Sequence, residues 1–240
     1  MPIAKKSPSN ALGDPTQSLQ TFSLLDLQQF TFENAYSNTA SKDFHLFYVG
    51  RDDVHDILKY VLSRLTVSLY MNMFGFDDDE LNAIVMAKAE DPKITVLITL
   101  DKSQAGGVHE KQLLNSDIAK DPNAFNTHFV IGQSATGQIS HTKGFVADGK
   151  VGGEGSTNWS TAGEGTFVVT GKPGGPGYKA QNNTQSIFTD PDTISRFTAE
   201  LIAEHLAARG KPGAVKDSAT GVVTAPGSGG GAAPPKPRRT

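Results

Sequence analysis

Residues 141–158 read HTKGFVADGKVGGEGSTN and carry a dense set of chemically useful side chains. His141 and Lys143 stand two positions apart, Asp148 follows the lysine, and a Gly-Ser-x-Asn turn ends the stretch. Side chains in a strand alternate between its two faces, so this spacing places the imidazole of His141 beside the ammonium of Lys143. A nucleophile, a fixed cation and hydrogen-bonding side chains together suit the binding of an anionic phosphodiester during attack by an imidazole.

The same stretch predicts a strand, a turn and a second strand, which bring its two polar ends together. Residues 140–147 alternate as a strand does, and Asp148-Gly149 is a strong hairpin-turn signal. The glycine-rich run 152–155 lets the backbone approach a ligand closely. Ser156 and Asn158 then return their polar groups toward the start of the first strand.

Short apolar runs alternate with amphipathic stretches on both sides of this hairpin. The run 94–100 is almost continuously β-branched and leucine-rich, which is typical of a strand buried on both faces. Strands that alternate with helices predict a layered α/β sheet. Strands are predicted at 44–49, 67–74, 94–100, 129–131 and 185–188, and helices at 54–65, 81–89, 108–119 and 194–206.

Asp77-Asp78-Asp79 precedes the second predicted helix and concentrates three carboxylates. Such a triplet is compatible with a metal site and with a helix cap. We favour the cap, because aspartate is common at helix N-termini, where its charge complements the helix dipole.

Length and composition indicate one domain without disulfides. The 240 residues include no cysteine and carry a net charge of −3, which excludes thiolate metal sites and argues against a broadly basic nucleic-acid-binding surface. We expect a partly disordered N-terminal extension over 1–41, one domain over 42–210, and a disordered Gly- and Pro-rich tail over 211–240. Because no signal peptide or transmembrane run is visible, we expect a soluble protein, cytoplasmic or exported without a cleaved signal.

The pattern H-x-K-x4-D-x6-G-S-x-N resembles the signature of the phospholipase D superfamily, with every signature position filled at unbroken spacing. The resemblance covers about residues 42–208 and implies a layered α/β/α sandwich with a central mixed sheet and helices on both faces. It also implies a metal-independent phosphodiesterase that forms a covalent phosphohistidine and needs no cofactor. The catalytic residues it implies are His141, Lys143, Asp148, Ser156 and Asn158, with Lys143, Gly155, Ser156 and Asn158 holding the phosphate.

A single copy of the motif is present, whereas superfamily members with two copies build one site from two histidines. Single-copy members resemble a small bacterial endonuclease, so the resemblance implies a homodimer with its two-fold axis near the site. His141 of one subunit would be the nucleophile, and His141 of the other would protonate the leaving group and then activate water. Asp148 would orient its loop, and Lys143 would supply the charge that a metal brings elsewhere, so we expect no metal.

The chain departs from the family pattern downstream of the motif. Many members have Asn-x-Glu there, and the acid orients the histidine, but residues 182–185 read Asn-Asn-Thr-Gln without a carboxylate. Either Glu154 or Glu164 takes that role, or Thr184 or Gln185 orients the histidine through a neutral group.

Three classes of function follow from these observations. A nuclease that cuts DNA or RNA is favoured narrowly, although the slightly acidic charge counts against it. A phospholipase D that hydrolyses phospholipid headgroups would need an exposed apolar rim, for which the Phe-rich stretch 22–32 is the candidate. A non-catalytic binding protein is the least favoured class, and a His141→Ala variant separates it from both enzymes.

Overall fold

The structure is a computed structural model that describes seven segments of the chain: residues 18–32, 41–101, 127–132, 141–166, 177–210, 215–216 and 223–224. The helix predicted at 108–119 lies outside these residues, as does most of the tail predicted over 211–240. Within them, the predicted strands and helices form at the expected places, with ends that differ by a few residues.

Eleven strands and four α-helices make up the described part of the chain. The helices are α1 (Val54–Arg64), α2 (Asp79–Glu90), α3 (Thr161–Glu164) and α4 (Pro191–Gly210). The first six strands are β1 (Phe44–Tyr48), β2 (Ser68–Met73), β3 (Phe76–Asp77), β4 (Thr95–Asp101), β5 (Thr127–Gly132) and β6 (Lys143–Ala147). The others are β7 (Val151–Gly155), β8 (Trp159–Ser160), β9 (Thr184–Phe188), β10 (Val215–Lys216) and β11 (Val223–Thr224).

Nine strands form one mixed sheet in the order β1–β9–β7–β6–β2–β4–β5–β11–β10. Strands β2, β4 and β5 run parallel to one another, whereas β6, β7, β9 and β1 continue the sheet in antiparallel pairs. A separate sheet consists of β3 and β8, which pair in parallel. The sequence-based expectation of a central mixed sheet is therefore confirmed.

Helices cover both faces of the large sheet. Helices α1 and α2 pack on one face, where their apolar residues join Leu69, Met71 and Phe145 in the main core. Helix α4 packs on the other face, where Ile194 and Leu201 meet Val146 and Phe188. The layered α/β sheet predicted from the alternating pattern, and the α/β/α sandwich implied by the family resemblance, are thus confirmed.

Two short 3-10 helices precede the first strand, at Leu19–Thr21 and Leu24–Phe30. Leu24, Leu27 and Phe30 are buried in the main core, and Ser23 begins the second of these helices with a capping box. These three apolar residues therefore serve packing, whereas Leu25 and Phe32 are exposed. Near the other end of the chain, β11 pairs in parallel with β5 and extends the large sheet.

Aspartates begin both helices of the main core. The Asp53 carboxylate accepts the N–H of Asp56 at the start of α1, and that of Asp78 accepts the N–H of Leu81 at the start of α2. The interpretation of the acidic triplet as a helix cap is therefore confirmed for Asp78.

Candidate active site

One edge of the large sheet collects most of the motif residues. The parallel strands β2 and β4 end at this edge, β6 begins there at Lys143 opposite Met73, and β7 ends there at Gly155 opposite Gln185. In α/β sheets of this kind, the carboxyl ends of the parallel strands are the usual position of a ligand site.

Lys143 is held in a fixed position although its side chain is charged. It is only 2% exposed, and its ammonium donates a hydrogen bond of 2.7 Å to the backbone carbonyl of His141. Burial lowers the pKa of Lys143, and the charge of Glu154 acts in the opposite direction. The result is a cation with little freedom of movement beside the exposed histidine.

The imidazole of His141 is exposed at the edge and rests against an aromatic ring. The ring centroids of Phe74 and His141 lie 4.6 Å apart at a tilt of 55°, and the Lys143 ammonium lies 4.9 Å from the Phe74 centroid. The N–H of Phe74 also donates to the carbonyl of Thr142 at 3.2 Å. Phe74 thus contacts both His141 and Lys143, and sequence analysis did not identify it as a site residue.

Asn158 contacts Gly75, the residue next to Phe74 in the segment that follows β2. A hydrogen bond of 2.9 Å joins the N–H of Trp159 to the carbonyl of Gly75. A Cβ added to Gly75 would lie 3.0 Å from the Asn158 amide carbon, which explains the glycine. The Phe74-Gly75 segment therefore has His141 against one residue and Asn158 against the other. Among the described residues, the buried Oδ1 of Asn158 has no hydrogen-bond partner.

Ser156 ties the end of β7 to the start of β9. Its hydroxyl donates to Asn183 Oδ1 at 3.2 Å and accepts the N–H of Thr184 at 3.0 Å. The backbone N–H of Ser156 donates to the Thr184 carbonyl at 3.0 Å, and a Cβ on Gly155 would collide with that same oxygen. These contacts make Ser156 a residue that orders the loop, with its hydroxyl already engaged.

The candidates for orienting the histidine occupy three different surroundings. Gln185 is buried and lies opposite Gly155 at the end of β7, and its Oε1 has no hydrogen-bond partner among the described residues. Glu154 occupies the alternate, exposed position of β7, and burial of its carboxylate raises its pKa. Glu164 is buried against His55. Thr184 contributes backbone groups to the Ser156 loop.

Asp148 lies at the opposite edge of the sheet, about 16 Å along the strand from Lys143 at 3.3 Å per residue. Its φ of 54° places it in the left-handed region of the hairpin turn. Its carboxylate accepts the backbone N–H groups of Thr66, Val67 and Ser68 at the start of β2. At this position the Asp148 carboxylate makes the contacts expected of a residue that orients its loop, whereas its grouping with the catalytic residues stays a prediction.

No protein-family model matches this sequence, and no curated protein matches it either. Solved structures do match. Nuc from Salmonella typhimurium, a phospholipase D family member, aligns with 69% of this chain and 95% of its own, at 20% identity and a TM-score of 0.51. NucT from Helicobacter pylori aligns with 69% of this chain and 96% of its own, at 17% identity and a TM-score of 0.50. The chain has the phospholipase D fold.

Within this phospholipase D fold, the described edge combines groups that suit a phosphodiester. An exposed imidazole, a buried ammonium and an amide converge around the Phe74-Gly75 segment, and together they can attack phosphorus and neutralise its oxygens. None of the described helices has the length and apolar character that crossing a bilayer requires.

A second polar cluster, formed by His55, Asp78 and Glu164, lies on the side of the large sheet that α1 and α2 cover. The Nδ1 atom of His55 lies 2.5 Å from Glu164 Oε2 and 3.4 Å from Asp78 Oδ2. Burial lowers the pKa of His55, but the hydrogen bond and charge of Glu164 and the charge of Asp78 outweigh it and raise the pKa to about 10. Burial also raises the pKa of Glu164 to about 7. These residues are far apart in sequence, so no local pattern identifies the cluster.

Proposed function

We propose that the protein is a metal-independent phosphodiesterase that acts through a covalent phosphohistidine and cuts nucleic acid. The observation that carries this proposal is the exposed imidazole of His141 beside the buried ammonium of Lys143, with Asn158 across the Phe74-Gly75 segment. A fixed cation at this place stabilises charge on the phosphate as the transition state forms.

The reaction proceeds in two displacements at phosphorus. A ring nitrogen of His141 attacks, an N–P bond forms, and the bond from phosphorus to the leaving oxygen breaks. The leaving oxygen takes a proton from a general acid, which then removes a proton from water. That water attacks phosphorus, the N–P bond breaks, and the free imidazole and a phosphomonoester result. Lys143 and Asn158 hold the non-bridging oxygens throughout.

The general acid is His141 of a second subunit. Three other histidines have described side chains, and each is engaged elsewhere: His45 contacts the Ser41 carbonyl, His55 contacts Glu164, and His205 contacts Thr99. Because His141 is exposed at the sheet edge, two copies related by a two-fold axis can bring their imidazoles to one phosphate. A homodimer is therefore part of the proposal.

Nucleic acid is the favoured substrate because of an aromatic and cationic pair beside the site. The Arg51 guanidinium lies 4.5 Å from the centroid of Tyr48, and Tyr48 pairs with Thr184 at the site edge. Exposed aromatic rings stack on bases, and guanidinium groups contact phosphates. The rim that a phospholipase needs is reduced, because three of the six apolar side chains of the 22–32 stretch are buried in the core and only Leu25 and Phe32 are exposed.

A phospholipid substrate remains the second candidate because of one apolar strip. Phe44, Leu46 and Tyr48 are exposed along β1, at the free edge of the large sheet. These side chains could rest on a lipid surface, and vesicles therefore belong in the test.

The test is nicking of supercoiled plasmid in EDTA by the wild type, His141→Ala, Lys143→Ala and Lys150→Ala. We expect the wild type and Lys150→Ala, which changes an exposed turn at the opposite edge, to nick the plasmid. We expect the other two variants to be inactive. If all four proteins leave plasmid and RNA intact but the wild type hydrolyses phospholipid vesicles, the substrate is lipid.

The same samples test the dimer. Light scattering should show a dimer at concentrations that support full activity, and specific activity should fall on dilution below its dissociation constant. A monomer that keeps full specific activity would remove the second His141 from the mechanism.

A further inference from the structure

The cluster of His55, Asp78 and Glu164 is assembled by the small two-stranded sheet. Strands β3 and β8 run in parallel, so the residues that follow them emerge side by side. Asp78 follows β3 directly, and Glu164 ends the short helix α3 that follows β8. Both carboxylates meet the His55 side chain on the first turn of α1. Three separate parts of the chain therefore present one buried ligand group each.

The geometry of these groups suits a metal ion. One potential ligand atom from each residue lies within 4.8 Å of the other two. Ligands at about 2.1 Å from a tetrahedral metal ion are about 3.4 Å apart, which matches the 3.4 Å between His55 Nδ1 and Asp78 Oδ2. The Glu164 oxygen at 2.5 Å would move outward by about 1 Å as a metal replaced the shared proton.

An unsatisfied buried oxygen points to a missing ligand. Glu164 is 0% exposed, and its Oε2 contacts His55, but its buried Oε1 has no hydrogen-bond partner among the described residues. A buried carboxylate oxygen without a partner is costly, and a cation bound by both oxygens of the Glu164 carboxylate removes that cost. This observation is independent of the distances within the cluster.

The second ring nitrogen of His55 also makes the contact that is usual for a histidine that binds a metal. His55 Nε2 lies 3.2 Å from Glu80 Oε2, and the same Glu80 oxygen accepts a hydrogen bond of 2.6 Å from the Lys59 ammonium. In metal sites, the histidine nitrogen that does not bind the metal usually donates to a carboxylate, which fixes the ring and its tautomer. Nδ1 of His55 is thereby left to face the two buried carboxylates.

We propose that His55, Asp78 and Glu164 bind a divalent transition-metal ion, with Zn²⁺ or Mn²⁺ as the matching chemistry. One imidazole and two carboxylates suit these ions, and the double charge offsets both buried carboxylates. This assignment departs from the expectation that the chain holds no metal. The ion lies outside the group that contacts phosphate, so its role is structural.

The metal would fix the loop that carries Asn158. Helix α3 begins directly after β8, and the Gly163 N–H and carbonyl are bound by Ser160 Oγ and Asn183 Nδ2. A Cβ on Gly163 would collide with the Asn158 carbonyl, so α3 packs directly on the motif loop. An ion that joins α3 to α1 therefore adds stability to a loop that protein contacts already hold against the core.

The experiment uses untagged full-length protein stripped with EDTA, then titrated with Zn²⁺ alone or Mn²⁺ alone in a calorimeter, with Mg²⁺ for comparison. We expect one Zn²⁺ or Mn²⁺ per chain, a higher Tm with the metal, and weaker binding of Mg²⁺. Glu164→Gln and Asp78→Asn should abolish both the stoichiometric binding and the Tm increase. Glu80→Gln should weaken binding about 10- to 100-fold, as loss of a partner behind a ligand does.

Asp79→Asn is the matched control, because it removes an exposed carboxylate from the position next to Asp78. It should bind the metal as the wild type does, and circular dichroism should show that each variant is folded. The proposal is overturned if the wild type binds no Zn²⁺ or Mn²⁺ at one ion per chain, or if Glu164→Gln and Asp78→Asn bind equally well. Metal binding and Tm are both measured without plasmid nicking, so the outcome of this experiment does not depend on the phosphodiesterase proposal.

Discussion

Replacing Asp148 with alanine should destabilise the protein strongly and leave the turnover of the folded molecules nearly unchanged. The carboxylate accepts the N–H groups of Thr66, Val67 and Ser68 at 2.8–3.1 Å. After the change, water can bind the N–H groups of the exposed Thr66 and Val67, so the loss of each of these hydrogen bonds costs about 1 kcal/mol of stability. The N–H of the buried Ser68 stays without a partner, which costs about 2 kcal/mol. The sum is about 4 kcal/mol in the free energy of unfolding, or about 12 °C in Tm for a domain of this size.

Thermal unfolding by circular dichroism measures the first effect, and plasmid nicking well below the Tm measures the second. Asp148→Asn is the control, since it keeps one acceptor oxygen and asparagine tolerates the left-handed conformation, so its loss should be about half as large. Lys143→Ala should show the opposite result, with activity lost at nearly unchanged Tm. An Asp148→Ala protein with normal Tm and no turnover would refute the structural role of Asp148.

Three further predictions concern the residues around the two clusters. Phe74→Leu removes the ring that contacts His141, and a contact between two such rings contributes about 1 kcal/mol. We therefore expect kcat/KM to fall about 3- to 10-fold at unchanged Tm. An unchanged kcat/KM would contradict the positioning role of Phe74. Gln185→Glu places a carboxylate opposite Gly155 at the end of β7, so kcat should rise several-fold, while the buried charge should lower the Tm. A lower kcat would contradict an orienting role for this position. In EDTA, the stability that His55 contributes is complete below its unfolded pKa near 6.5 and is lost as pH rises toward its folded pKa of about 10. His55→Gln should therefore flatten the decrease in Tm between pH 7 and 10, and an equally steep decrease would exclude His55 as its cause.

The periodic parts of the fold were predictable from the sequence. The continuous apolar run 94–100 predicted a buried strand, and β4 is observed at Thr95–Asp101 between β2 and β5. Strands β3 and β8 are two residues long, which is too short for any periodic signal, and their pairing became visible only in the folded chain. The stretch 22–32 illustrates another limit, because scattered apolar residues do not reveal whether they face the core or a partner.

The part of the candidate site whose residues are close in sequence was predictable. The part that strand pairing brings together from distant positions was not. The spacing of His141 and Lys143 indicated their proximity, and the Lys143 ammonium does bind the His141 backbone carbonyl, although β6 begins at Lys143 and leaves His141 outside the strand. Phe74 lies 67 positions before His141, so the contact between their rings depends on the pairing of β2 with β6. His55 and Glu164, 109 positions apart, meet for a similar reason.

The most direct test of the proposed mechanism is to trap the covalent intermediate on His141. Wild-type protein and His141→Ala are mixed with an end-labelled oligonucleotide in EDTA, denatured in alkali within one turnover, and separated from free oligonucleotide. The proposed mechanism predicts label on the wild type that survives alkali, is released by acid as a histidine phosphoramidate is, and maps to His141 by mass spectrometry. A wild type that cleaves the oligonucleotide but carries no acid-labile label, or a His141→Ala variant that carries it, would contradict the mechanism.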